Sequence, residues 1–269
     1  KRAFADRAFL GDPLFVPYVN KLIPLLLQKD RAQLLAKVIL DKAESADNIP
    51  AGQGSATCPD IPSLAGRSQS DGKDTTHLSV VDRHGNAVAL TTTVNYSWGS
   101  GIVARGTGVV LNDEMDDFAV APGVPNAYGI VGSEANSVEP SKTPLSSMSP
   151  TFVFSGPTPQ SPIQLVLGSP GGSRIPTTVA QIILHVLDYG ADIQTAIAAG
   201  RIRHQHLPDQ VYIEEFTLAE PTLKLLEAKG HRLKKGRRWS NATGIMVDPA
   251  TKLVTGAADP RGIGTAAAE

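Results

Sequence analysis

Asp74-Thr75-Thr76-His77-Leu78-Ser79-Val80-Val81-Asp82 runs into Arg83-His84-Gly85-Asn86 and then into Ala87-Val88-Ala89-Leu90-Thr91-Thr92-Thr93-Val94-Asn95. Leu78–Asp82 reads as a strand, Arg83–Asn86 as a turn, and Ala87–Asn95, rich in Val and Thr, as a second strand, so the pair predicts a β-hairpin. Thr91, Thr93 and Asn95 alternate and so share one face of the second strand. Upstream the texture is the opposite. Residues 46–74 carry Pro50, Gly52, Gly54, Pro59, Pro62, Gly66 and Gly72 with almost no large apolar side chain, the composition of a mobile loop or linker. A loop that long inside a compact domain is functional or disordered as a rule. Thr75 therefore stands where a linker meets a strand, and two readings of it are open. In the plain one, a linker ends and Thr, a good strand residue, begins a hairpin. In the chemical one, the Thr75 hydroxyl attacks the preceding carbonyl, forms an ester, and water then releases a new N-terminal Thr. Its freed α-amine, with an unperturbed pKa of about 7.7–8.0, serves as general base to its own hydroxyl.

Working outward, residues 1–45 predict helix in pieces, broken at Asp12-Pro13, with Leu34, Leu35, Val38 and Ile39 at helical spacing. Downstream, 99–150 is loop-rich with one short strand at Gly108–Asn112. Thr151–Ser155 and Ile163–Leu167 are predicted strands, and Ile175–Leu187 is a predicted amphipathic helix. Asp192–Ala199 and Pro221–Lys229 are further helices, and Val211–Glu214, Gly244–Val247 and Leu253–Ala257 further strands. Strands and helices come in runs, which favours α+β layers over a doubly wound parallel sheet.

The chain has 269 residues, 41% of them hydrophobic, with 25 basic against 26 acidic side chains. That balance gives no electrostatic case for a nucleic-acid partner. One cysteine, Cys58, excludes an intrachain disulfide and a cysteine metal cluster. No apolar run reaches the roughly 18 residues of a spanning helix, and the start lacks both an initiator Met and the apolar core of a secretory signal.

Other motifs have an ordinary reading. Glu114 and Asp117, three apart in a loop, make a solvated acidic turn. Ser146-Ser147 cap a turn before Pro150. Gly171-Gly172 form a tight turn, or let two N–H groups approach a ligand ahead of a helix N-terminus. Tyr128 is a loop aromatic. His204-Gln205-His206 has no third ligand at motif spacing, so no metal site is expected. His77 and His185 are expected to be structural.

Taken together, Thr75-Thr76-His77-Leu78-Ser79-Val80-Val81-Asp82, Gly85-Asn86-Ala87-Val88, Gly99-Ser100-Gly101-Ile102-Val103, Leu111–Phe118, Pro122–Asn126, Pro144–Pro150, Gly168–Arg174 and Asp259-Pro260-Arg261 strongly resemble the small subunit of γ-glutamyltransferases, which are N-terminal nucleophile hydrolases. Residues 1–74, through Ala5-Asp6-Arg7 and Leu10-Gly11-Asp12-Pro13, resemble the tail of the large subunit. The resemblance implies two regions, 1–74 and a catalytic 75–269, and an α+β, four-layer αββα sandwich that is incomplete without the large-subunit segment. That segment normally carries the Arg that holds the substrate α-carboxylate, so the resemblance implies a partner segment and weak activity without it. It implies Thr75 as nucleophile after cleavage at Asp74–Thr75, and Thr93 bonded to its hydroxyl. Gly171 and Gly172 become the oxyanion hole. Asn95, Ser146 and Ser147 hold the α-carboxylate, Glu114 and Asp117 the α-ammonium, and Tyr128 lies in a lid over the pocket. The implied substrates are glutathione and other γ-glutamyl compounds, with water, amino acids or peptides as acceptors and no metal or organic cofactor. A periplasmic or secreted location is implied. The rival activities are a glutaryl (cephalosporin) acylase, a poly-γ-glutamate depolymerase, and a catalytically silent subunit that binds a partner chain.

Overall fold

Asp82 closes the hairpin. Its Oδ1 accepts the backbone N–H groups of His84 and Asn86, at 2.8 and 2.9 Å, and Gly85 follows at φ +83°, a conformation that costs glycine least. The strands on either side, β1 (Thr75–Val81) and β2 (Ala87–Thr93), pair antiparallel with Thr75 opposite Thr93, Leu78 opposite Leu90 and Val80 opposite Val88. The computed structural model describes residues 1–49, 74–126, 128–158 and 160–268. The predicted linker lies almost wholly outside the described residues.

The core is built on β4 (Ile163–Gly168), whose Leu165-Val166-Leu167 centre is apolar, flanked by β3 (Thr151–Phe154) and β8 (Thr243–Val247), with β9 (Val254–Ala258) beyond, in the antiparallel order β3-β4-β8-β9. Leu165, Val166 and Leu167 are all fully buried, so both faces of β4 are covered. Leu165 and Leu167 pack with Ile175, Val179, Ile182 and Val186 of α4 (Ile175–Leu187) and with Ile193 and Ile197 of α5 (Ile193–Ala198). Val166 and Gly168 point the other way, towards the hairpin. There a Cβ on Gly168 would come within 2.3 Å of the His77 ring, and Thr243 Oγ1 donates to His77 O. The result is helices, a four-stranded sheet and the hairpin in successive layers, an α+β arrangement. The hairpin's outer face stays open: Leu78, Val80, Val88 and Leu90 are 43–51% exposed.

A second sheet of β5 (Ile202–Arg203), β6 (Val211–Glu214) and β7 (Leu233–Gly236) is completed through α6 (Glu220–Ala228), which makes the crossover between the parallel strands β6 and β7. The N-terminal segment holds α1 (Arg2–Arg7), α2 (Val19–Leu26) and α3 (Lys29–Lys37). It grips the 133–147 loop: Ser133 Oγ donates to Ala8 O, Asp12 accepts Thr143 N–H, and Gly11 sits against Ala135 O, where a Cβ would clash. Among the described residues, no helix is long and apolar enough to cross a membrane.

Two expectations need correction. Gly108–Asn112 is not a strand. Only the single bridge Val103–Val110 forms there, because Gly106 and Gly108 both take positive φ and turn the chain. Asn95 is not the last residue of β2. The strand ends at Thr93, and Asn95 turns back at φ +73°. It therefore reaches the site from a bend rather than from the strand face.

Candidate active site

Thr75 begins β1 and is 8% exposed. Register places it opposite Thr93, and the two hydroxyls meet at 2.9 Å. Thr93 Oγ1 also accepts the Asn95 backbone N–H at 2.8 Å, which leaves the Thr93 proton free to point at Thr75 Oγ1. Asp74, on the other side of the candidate scissile bond, accepts from Ser97 Oγ at 2.8 Å.

A solvent-open cleft of about 280 Å³ is lined by Thr75, Thr93, Asn95, Glu114, Asp117, Tyr128, Ser146, Ser147 and Gly172, with Met148, Ser173 and Ile175. Every residue singled out from the sequence as a site candidate is in that lining except Gly171, which lies in the turn beside it.

The acidic side of the cleft is a single 3-10 turn, Glu114–Asp117. The Glu114 and Asp117 carboxyls hydrogen-bond to each other. Burial first, then the Glu114 charge, pushes the Asp117 carboxyl up to about 7, and burial also raises that of Glu114. Two acids this close share one proton in the absence of an outside cation. The attraction of the Arg7 guanidinium opposes the rise at Asp117 without cancelling it.

The opposite side offers neutral donors. Arg7 Nη2 donates to Ser147 Oγ at 3.0 Å and to Leu145 O at 3.2 Å, so the Ser147 proton is left to donate elsewhere. Asn95 Nδ2 gives one hydrogen to Asp113 O and keeps a second, while Asn95 Oδ1 accepts from Tyr128 OH at 3.0 Å. Tyr128 is 5% exposed, not an exposed loop aromatic, and stacks on Tyr96 with ring centroids 5.0 Å apart.

Gly171 and Gly172 take φ of +133° and +55°, in the 3-10 turn that leads into α4. A Cβ on Gly172 would lie 2.4 Å from the Tyr128 ring, and one on Gly171 would lie 2.3 Å from Ser240 Oγ. Strain and crowding together require glycine at both positions, which brings backbone rather than side chain to the cleft.

His77 Nδ1 bonds Thr91 Oγ1 and Nε2 bonds Ser79 Oγ. Burial lowers its pKa to about 4, so it is a neutral strut under the hairpin. His204 Nε2 bonds Asp209, and its Nδ1 accepts the His206 backbone N–H. Sequence reasoning missed Arg7, Ser173 and Gln205. Arg7 lies 140 residues from the serine it contacts, and no local pattern marks such a contact.

A threonine at the head of a strand, a paired hydroxyl and a glycine turn ahead of a helix, on this layered α+β frame, define an N-terminal nucleophile hydrolase. Cephalosporin acylase from Bacillus halodurans shares the fold, with a TM-score of 0.71 over 96% of this chain and 41% of that one at 22% identity. The γ-glutamyltranspeptidase from Pseudomonas nitroreducens complexed with L-DON is more similar in sequence, at 44% identity. It has a TM-score of 0.66 and covers 72% of this chain and 99% of that one. The Gamma-glutamyltranspeptidase family model matches residues 1–269, and the chain belongs to that family. The glutathione hydrolase proenzymes of Escherichia coli and Pseudomonas aeruginosa are 44% and 41% identical to it, each over 98% of its length. The chain spans 42% and 44% of the length of those two relatives.

Proposed function

We propose that this chain carries the self-cleaving, acyl-transferring half of a γ-glutamyltransferase, with residues 75–269 as the catalytic region and 1–74 as the cleaved-off neighbour. The observation that carries the reading is the 2.9 Å contact between Thr75 Oγ1 and Thr93 Oγ1, at the edge of a cleft that also holds two carboxyls and two serine hydroxyls. In maturation, Thr75 Oγ attacks the Asp74 carbonyl carbon and the peptide C–N bond breaks. Water then hydrolyses the resulting ester, leaving an Asp74 carboxylate and a free Thr75 α-amine. The structure likeness to the Pseudomonas nitroreducens chain supports this, because 72% of 269 residues is about the length of 75–269.

In turnover, Thr75 Oγ attacks the side-chain carbonyl of a γ-glutamyl amide such as glutathione, and the Thr75 α-amine takes its proton. The Thr93 hydroxyl steadies the developing alkoxide. The N–H groups of Gly171 and Gly172 receive the oxyanion, worth a few kcal/mol per donor. The proton passes to the leaving amine, a γ-glutamyl ester remains on Thr75, and water or an amino-acid or peptide amine takes the acyl group.

The dyad selects the donor. A bound α-ammonium replaces the proton that Glu114 and Asp117 share, while Asn95, Ser146 and Ser147 donate to the α-carboxylate. A glutaryl group lacks that cation and would leave the carboxylates facing each other, which favours γ-glutamyl donors over the acylase reading. The half-exposed apolar outer face of the hairpin is where a further layer of the family sandwich, on a partner segment, would pack.

Purified wild-type chain should resolve into pieces of 74 and 195 residues, and Thr75→Ala should stay whole. Cleavage that persists in purified Thr75→Ala overturns the self-processing role.

A further inference from the structure

Arg203, at the end of β5, is 3% exposed and has no part in the scheme above. Its Nη2 donates to Ser173 Oγ at 3.0 Å, and its guanidinium lies over the Tyr212 ring, 5.2 Å from the centroid. Its Nε–H is buried without a hydrogen-bond partner, and among the described residues no carboxylate forms an ion pair with it. Burial, followed by the nearby Arg174 guanidinium, lowers its pKa to about 9, which leaves it a cation at neutral pH.

A buried cation with no carboxylate partner and a second cation nearby is costly. Ser173 is the residue after Gly171-Gly172 and is itself 2% exposed in the cleft wall. With one lone pair occupied by Arg203, its hydroxyl donates to Gln205 Oε1 at 3.1 Å, and Gln205 Nε2 donates to the carbonyls of Tyr128 and Gly129. One short strand exit thus fastens the glycine turn and the Tyr128 loop to each other.

We infer that Arg203 is a positioning residue for acyl transfer: through Ser173 it fixes the Gly171–Gly172 turn, and its unopposed buried charge favours the anionic tetrahedral intermediate over the neutral ground state. This rests on the γ-glutamyltransferase reading. Because the charge is matched to an anion that exists only in the intermediate, Arg203 discriminates between ground-state and transition-state ligands.

The test measures binding of two probes to the full, matured chain: L-glutamate, a ground-state ligand, and a glutamate analogue whose side-chain carboxyl is replaced by a boronic acid. The boronate accepts Thr75 Oγ and becomes a tetrahedral anion in the glycine turn. Arg203→Met should weaken boronate binding tenfold or more and L-glutamate binding less than twofold, and Arg203→Lys should recover most of the loss. If Arg203→Met does not fold, Ser173→Ala should give the same asymmetry at several-fold. Equal losses for both probes, or no loss for the boronate, would overturn the inference. Wild-type chain that binds neither probe even when paired with the large-subunit segment of a relative would instead overturn the reading beneath it.

Discussion

Two pairs of carboxylates sit inside this molecule, and the protein treats them in opposite ways. Glu214 and Asp259, each 1% exposed, are neutralised from within. Arg201 pairs with Asp259 at 2.5 Å, and Arg261 pairs with Glu214 at 2.5 Å and Asp259 at 3.0 Å. Glu214 further accepts the backbone N–H groups of Arg201 and Trp239. Two anions and two cations cancel, and the cluster ties the stretch after β9 to the β5–β6 ladder. Among the described residues, Glu114 and Asp117 have each other and the partial attraction of Arg7, and the Asp117 carboxyl is held near 7. A pair neutralised inside the fold is scaffold. We read a pair left short of a cation, in the wall of an open cleft, as a place for a ligand's cation.

The largest effect should come from breaking the scaffold pair. Arg201→Met leaves a buried carboxylate short of its partner, a loss of about 3–5 kcal/mol. In thermal unfolding of a chain this size, that is a fall in Tm of roughly ten degrees. Asp117→Asn should have the opposite character, with Tm unchanged or raised. A comparable fall in Asp117→Asn would erase the distinction between the two pairs.

Next comes ligand recognition. In matured Asp117→Asn, kcat/KM for a γ-glutamyl anilide should drop on the order of a hundredfold, the scale of losing one partner of a desolvated charge pair. Turnover of the glutaryl anilide should fall much less, or rise. Equal losses on both would mean that Asp117 merely supports its turn.

The smallest effect is the pH dependence of stability. The Asp117 carboxyl is raised in the fold relative to the unfolded chain, so the folded protein holds an extra proton between about 4 and 7. The penalty is present above pH 7 and is relieved as pH falls through 7. The Tm of the ligand-free protein should therefore rise by about a degree or two from pH 8 to pH 6 through this group. Saturating L-glutamate, which supplies the missing cation, should flatten that rise, and Asp117→Asn should abolish it.

The comparison also marks what the sequence made legible. The hairpin could be read because strand-forming runs flank an Asp82–Gly85 turn, and β4 because Ile163, Leu165, Val166 and Leu167 make a short, mostly apolar and strand-favouring run. β5 and β7 could not. The first is two residues long and the second reads Leu-Lys-Lys-Gly, and both owe their existence to pairing with β6. Glu114 and Asp117 were legible as candidates only through resemblance. Their spacing of three says nothing of the missing cation, which is a property of what packs around them. The arginines that separate the two pairs, Arg201 and Arg261 on one side and Arg7 on the other, make contacts 47 or more residues away in sequence. Periodicity is blind to contacts of that kind.

Everything in this account turns on Thr75, and intact-mass measurement tests it most directly. The chain, co-expressed with the large-subunit segment of a relative and purified, is incubated with a γ-glutamyl compound, quenched in acid and weighed, and the labelled piece is mapped. The account predicts a 195-residue species beginning at Thr75 that carries one γ-glutamyl group on that residue. An uncut chain, or a γ-glutamyl group found on any other side chain, would contradict it.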